Sequence, residues 1–513
     1  MSNKQGVLSY RIECEATRTD LTGLSGLAPF MDLACCSGLV ESIRRNVNVC
    51  GEQGWNDAQV VMSLILLNLA GGECVDDLDQ LEADAGFCKL LRWCETHGLP
   101  RRVRREMARR WRKGRSRSVV SPSAARRFLG EFHDEDQEKL RVPGKALIPK
   151  ASDNLLGLRK TNAEFLGWVQ QVSRHVVATL DLDATLVETS KKDALYCYKH
   201  FKAYQPTPVY WAEQDLLLHS EFRDGNVPAG FEQLRVLKDA LEFLPDGVAK
   251  VRIRSDSAGY QHDLMRYCQM SENERFGRIE FAISCDVSAE FKAAVEDVAE
   301  EDWHSFYREV DGRKVKTSRQ WAEVCFVPNA IAFSNNAPVY RYIATREALS
   351  NQPLPGMDVE QLGLPFQTMS KGALTYKIFG IVTNLDWAGD AVIAFHSGRC
   401  GKCEEAHKIL KEDFAGGVMP SNEFGANAAW WAITVLAMNL ASAMKRVVLG
   451  GTWSNRRMKA IRFLLINVPG RVLFKARQLY LRLSRDHPAL KLLIEMRRRI
   501  CELAAFPPIP VGI

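Results

Sequence analysis

Residues 176–187, Val-Val-Ala-Thr-Leu-Asp-Leu-Asp-Ala-Thr-Leu-Val, change the period of the chain. Upstream, apolar residues recur at helical spacing. Here Val, Thr and Leu alternate as they do in a strand. Residues two apart in a strand face the same way, so Asp181 and Asp183 project from one face near the strand's end. A chain of 513 residues that makes this change needs more than one core, because a single core stops growing near roughly 250–300 residues.

On the N-terminal side, Val60, Val61, Leu64, Leu67 and Leu69 are spaced for a buried helix face that Gly71-Gly72 ends. Residues 101–117 then carry ten Lys or Arg against one acid, Glu106. A solvated helix face normally mixes signs, whereas a one-signed block is the footprint of a polyanion whose condensed counterions are released on contact. Arg101, Arg102, Arg104, Arg105, Arg109, Arg110 and Arg112 are therefore the candidate DNA-binding residues. Ser121-Pro122 opens a further helix, giving a helical basic N-terminal DNA-binding domain of the helix-turn-helix kind or a similar small bundle.

Beyond the first strand, strand character recurs at 208–211, 216–220 and 251–253, with a helix at 230–244 between the last two, which predicts a mixed α/β sheet. Short β-rich runs fill 277–374, strands return at 376–385 and 391–395, and helices follow at 403–414 and 427–444. Lys459, Arg462, Arg471 and Arg497-Arg498-Arg499 mark a basic helical C-terminal tail. The expected domains are 1–145 helical and DNA-binding, 146–276 the first part of a catalytic core, 277–374 an inserted β-rich domain, 375–450 the second part of the core, and 451–513 the tail.

With 46% hydrophobic and 25% charged residues the composition is that of a folded globular protein. No basic start leads into an apolar core at the N-terminus, and the apolar stretch 426–444 is interrupted by Asn427, Thr434, Asn439 and Ser442. The expectation is a cytoplasmic protein with reduced thiols and no membrane partner. Cys400-Gly-Lys-Cys403 is the one cysteine pair with metal spacing, but a structural zinc site needs further ligands and only His396 and His407 are near, so the expectation is two small, half-buried side chains at the start of a helix.

Three carboxylates have the setting of a metal site. Asp181 or Asp183 ends one strand, and Asp256 follows the strand Val251-Arg252-Ile253-Arg254 directly, where it caps a turn, holds a metal, or does both. Glu404, Lys408 and Lys411 share a helix face. Spacing alone leaves open whether they form a solvated Glu–Lys pair or a ligand with two phosphate-binding lysines.

The segments TLDLDATLVETSKKDALYCYKHFKAYQP, HSEFRDGNVPAG, RSDSAGY and GRCGKCEEAHKILKEDFAGG, in this order, resemble the DDE transposases of bacterial insertion sequences, specifically the insertion-sequence family numbered 1380. The resemblance runs over most of the chain. It implies an RNase H-like catalytic core interrupted by a β-rich insertion domain before the last acidic residue. It selects Asp183, which precedes Ala184-Thr185, over Asp181, and it selects Asp256 and Glu404 as the remaining catalytic residues and metal ligands. Two Mg²⁺ ions, with Mn²⁺ as a substitute, are the implied cofactors. A related branch carries a Tyr, Arg, Glu, Lys signature. Glu404 to Lys411 keeps its last interval, Arg399 lies one residue too far from Glu404, His396 stands at the Tyr position, and Glu405 is a rival for Glu404.

The implied activity is cleavage at the terminal inverted repeats of the element followed by strand transfer into target DNA, by a homodimer associated with the bacterial nucleoid and without a small-molecule substrate. Arg399, Lys408 and Lys411 are expected to hold the DNA backbone, and Arg223 either approaches DNA or closes a surface turn. An RNase H-like nuclease without strand transfer, or an inactive transposase-derived DNA-binding protein, are the alternative readings.

Overall fold

The structure is a computed structural model describing residues 20–508, apart from 52–53, 97–98, 113–116, 143, 311, 330–337, 351–363, 365, 373 and 477. Its centre is a ten-stranded mixed sheet. Strand β1 (Val177–Leu182) pairs antiparallel with β2 (Thr207–Trp211), and β2 with β3 (Leu216–Glu221). On its other side β1 runs parallel to β4 (Lys250–Ser255), and β4 parallel to β5 (Glu280–Cys285). The order of these five strands is therefore β3-β2-β1-β4-β5. The inner strands are buried on both faces, as parallel strands covered by helices must be.

The sheet continues past β5 through four antiparallel partners. These are β10 (Leu374–Thr383), β8 (Arg341–Ala348), β7 (Arg313–Val324) and β6 (His304–Val310), with β9 (Thr368–Lys371) pairing β10. This corrects the boundary expected at residue 277. The strand 280–285 belongs to the middle of the main sheet, and the β-rich stretch after it extends the sheet's edge. Periodicity reports which face of a strand is buried but not which strand lies beside it. The far half of the β6–β7 hairpin is exposed, so part of the stretch does project from the core.

Helix α1 (Asp57–Ala70) opens with a capping box between Asn56 and Gln59 and ends on Gly71 at φ 98°, a left-handed position suited to glycine. The sequence places one face of this helix inward. In the fold it is buried nearly all round, because it packs on α5 (Phe424–Ala443), in which every residue but Ala432 is buried. The stretch Phe424–Leu449 has the length and hydropathy of a membrane span, yet 78% of its most apolar window is covered by protein.

The polar residues of α5 explain its place in a core. Asn439 accepts from Leu217 N at 2.8 Å and donates to Asn162 Oδ1 at 2.7 Å, Asn427 donates to Tyr204 Oη at 3.1 Å, and Thr434 donates to the Trp430 carbonyl at 2.9 Å. Buried amides of this kind are tolerated only when paired.

Two more expectations are corrected. Residues 391–395 are not a strand but part of helix α3 (Gly389–Ser397), since a five-residue apolar run does not distinguish the two states. Gly389 lets the helix start close to the sheet, where a Cβ would stand 2.2 Å from the Trp321 ring. The C-terminal region is not wholly helical either. Gly470–Lys475 and Gln478–Arg482 form a hairpin that pairs with Leu21–Thr22, and only then does helix α6 (Ala489–Leu503) follow. Segments from near the two ends of the chain are thus joined in one small sheet.

Candidate active site

Strands β1 and β4 are in parallel register, Leu182 beside Ser255, and each delivers an aspartate one residue past its end. These are Asp183 and Asp256. Asp256 accepts a hydrogen bond from Ala258 N at 3.0 Å and so caps the turn Ser257–Gly259, which leaves its other oxygen uncommitted to that turn. Gly259 permits the turn to fold back, since a Cβ there would lie 2.5 Å from Ser255 Oγ.

The third carboxylate arrives from across the sheet edge. Helix α3 is held at its C-terminal end by His396, whose Nε2 lies 3.2 Å from both Ser284 Oγ and the Ser255 carbonyl. Burial pushes the pKa of His396 down to about 4. A short turn then leads into α4 (Lys402–Lys408), bearing Glu404, and α4 widens into a π-helical turn at Ile409–Asp413. Such widenings frequently accompany functional sites. From the widened turn Lys411 reaches back and donates to Thr185 Oγ1 at 3.0 Å and to the Leu186 carbonyl at 3.2 Å, which ties α4 to the segment following Asp183.

The charges of Asp256 and Glu404 both act on Asp183. Burial, joined by the charges of Asp256, Glu404 and Asp181, pushes the Asp183 carboxyl up to about 6, although Arg399 pulls the other way. Arg399 Nη1 donates to Asp183 Oδ2 at 3.1 Å. Burial opposes the Arg399 charge, and the carboxylates of Asp183 and Asp256 outweigh it and raise the guanidinium's pKa. Glu405 acts elsewhere, its charge falling on Arg457. Arg399 Nε is buried without a hydrogen-bond partner, a donor left open beside the acids.

Carboxylates gathered at a sheet edge with too little positive charge around them are the setting in which a hard divalent cation supplies the missing charge. The oxygen donors of Asp183, Asp256 and Glu404 fit such an ion. They are less tightly gathered than another group: the ligand atoms of Asp183, Cys403 and His407 all lie within 4.8 Å of one another.

The sequence matches the family described as Transposase DDE domain group 1 over residues 10–352 and 360–505. The chain belongs to that family. It is a DDE transposase, a polynucleotidyl transferase, and enzymes of this family generally use divalent metal. Among solved structures, a cryo-EM structure of the piggyBac transposase synaptic complex with hairpin DNA is similar at a TM-score of 0.39 and 11% identity, over 94% of this chain and 87% of that one. No match is found among curated proteins.

Several residues of the transposase stand where sequence did not place them. Asp181 is fully buried and gripped by Arg254, whose Nε and Nη2 donate to its two oxygens at 2.6 and 2.8 Å. Arg254 opens the segment RSDSAGY, but the resemblance assigns it no role, and the alternation of β4 sets it on the same face as Arg252. That signal gives a face and not a partner: Arg252 donates from Nε to Glu280 Oε2 at 2.8 Å, on the opposite side of β4 from Asp181.

Arg223, expected either to reach DNA or to close a surface turn, does neither. It is 0% exposed, with Nε donating to Glu221 Oε1 at 2.7 Å and Nη1 to the Phe231 carbonyl at 2.8 Å. Lys408 is exposed, 4.0 Å from Glu412. The basic block forms helix α2 (Arg101–Arg112), with Arg101, Arg102, Arg104 and Arg105 exposed and Val103 and Met107 half-buried. The side chains of Arg109, Arg110 and Arg112 lie outside the described residues.

Proposed function

We propose that this transposase binds the terminal inverted repeats of a bacterial insertion sequence of the family numbered 1380 and catalyses Mg²⁺-dependent DNA cleavage and strand transfer. The observation that carries this reading is the parallel register of β1 and β4, which delivers Asp183 and Asp256 one residue past adjacent strand ends, with Glu404 on the helix that Lys411 ties to the segment after Asp183. The strand order β3-β2-β1-β4-β5, with only β2 antiparallel to its two neighbours, supports an RNase H-like core. The β-rich stretch before Glu404 is then an insertion that extends the core's own sheet.

Asp183, Asp256 and Glu404 would hold two divalent ions, Mg²⁺ or in its place Mn²⁺, which when bound activate water or a 3′-hydroxyl and stabilise the leaving oxygen. The chain's own groups prepare the site. Arg399 orients Asp183 through Nη1. Lys411 fixes the segment after β1, and His396 fixes α3 against the ends of β4 and β5. The exposed arginines of α2 supply sequence-independent attraction for the backbone of double-stranded DNA. Action as a homodimer in the cytoplasm, at the nucleoid, completes the reading.

Asp256→Asn tests it. The variant is expected to retain binding to the inverted repeats while losing Mg²⁺-dependent cleavage, and a variant that still cuts would overturn the assignment. A strand-transfer assay with pre-cleaved ends separates a transposase from a nuclease that only cuts.

A further inference from the structure

The geometry points to a second metal site, for a soft divalent cation such as Zn²⁺, formed by Asp183, Cys403 and His407 and sharing Asp183 with the hard-ion site.

Cys403 and His407 are one helical turn apart on α4 and both buried, while Asp183 comes from the end of β1. Their ligand atoms lie within 4.8 Å of one another. Zn–S and Zn–N bonds of about 2.3 and 2.0 Å meeting at a tetrahedral angle put sulfur and nitrogen roughly 3.5 Å apart. Cys403 Sγ and His407 Nε2 stand at 3.5 Å. One thiol, one imidazole and one carboxylate leave a fourth position for water, and a sulfur–nitrogen pair favours Zn²⁺ or Co²⁺ over Mg²⁺.

The other members of the cysteine–histidine cluster do not take part. Cys400 is exposed, and His396 is committed to Ser284 and Ser255. The Cys-x-x-Cys spacing therefore does not define the site.

On binding, the Cys403 thiol gives its proton to solvent and the sulfur takes the metal. Because Asp183 cannot serve both ions fully, a soft cation would compete with Mg²⁺ and suppress cleavage. This consequence, unlike the site itself, rests on the proposed role of Asp183.

The full-length protein is titrated with Co²⁺ alone and followed by absorption. The expected result is a thiolate-to-Co²⁺ charge-transfer band with tetrahedral d–d bands, kept in Cys400→Ser and lost in Cys403→Ser and in His407→Gln. Circular dichroism identifies a variant that does not fold, in which case the other one decides. No band in the wild type, or a band that survives in a folded Cys403→Ser and His407→Gln, overturns the site. In Mg²⁺-dependent cleavage, Zn²⁺ is expected to inhibit the wild type, and at least about 10-fold more Zn²⁺ is needed to inhibit either variant, each scaled to its own Mg²⁺ activity. Equal sensitivity of wild type and variants overturns the competition. Absence of any Mg²⁺-dependent cleavage in the wild type would instead count against the proposed function, leaving the Co²⁺ result to stand on its own.

Discussion

Arg254 holds Asp181 by two hydrogen bonds, 2.6 Å from Nε and 2.8 Å from Nη2, at the point where their parallel strands are in register. Both oxygens of Asp181 are committed to this pair. The next acid along the chain, Asp183, lies beyond the strand, where it accepts from Arg399 and feels the charges of Asp256 and Glu404. The Arg254 guanidinium also donates from Nη1 to the Phe395 carbonyl at 3.0 Å, so one arginine joins β1, β4 and α3 beneath the site. Gly398 leaves room for it, since a Cβ there would lie 2.7 Å from Nη1.

Removing one member of this pair strands a buried charge. Arg254→Leu is expected to destabilise the protein by about 3–5 kcal/mol. The double variant Asp181→Leu/Arg254→Leu should recover much of that loss, because no unpaired charge remains. Urea unfolding of the two variants decides the matter: equal loss in both would mean that the pair acts only through packing.

The Asp183 carboxyl binds its proton more readily in the folded protein than in the unfolded chain, with its pKa raised from 3.8 to about 6. Within that window the folded state carries the extra proton, so the stability of the metal-free protein falls as pH rises. A divalent cation binds the ionised form and should restore stability at the upper end of the window. Thermal unfolding at both ends, with and without Mg²⁺, reads the effect, and cleavage should rise with pH through the same range. A Mg²⁺ effect as large at the lower end as at the upper would contradict the linkage.

Glu404 and Glu405 are adjacent, yet their charges act on different partners, Asp183 and Arg457. Glu404→Gln is expected to reduce cleavage by about 10²-fold or more, the scale of several kcal/mol of lost metal-assisted stabilisation. Glu405→Gln should stay within a few-fold of the wild type, roughly the effect of a surface charge. A gel assay on labelled transposon ends compares them, and the reverse ranking would move the third ligand to Glu405.

The α2 arginines should contribute to affinity without choosing sequence. Arg104→Ala and Arg105→Ala are each expected to weaken DNA binding to all sequences alike and to lower the slope of log K against log salt by about 1. A loss confined to the inverted repeats would instead make these residues base readers.

Much of this protein was determined by its sequence alone. The change from helical to strand period at 176–187 located the first strand of the main sheet, and Asp256 followed directly from the strand it ends, because alternation and turn chemistry are local properties. The one-signed run at 101–117 likewise marked a basic block without reference to the rest of the chain, and the structure makes Arg101–Arg112 a helix. What lay beyond local reach was pairing. Only the tertiary structure made 280–285 a central strand, turned 391–395 into a helix, and joined segments near the two ends of the chain in a hairpin sheet. It alone separated Asp181 from Asp183 by contact, since the guanidinium that distinguishes them comes from 73 residues away in the chain. It also withdrew Arg223 from the surface and brought Cys403 and His407 beside Asp183. Each of these outcomes depends on which distant group fills the space next to a side chain, and no spacing within one segment encodes that.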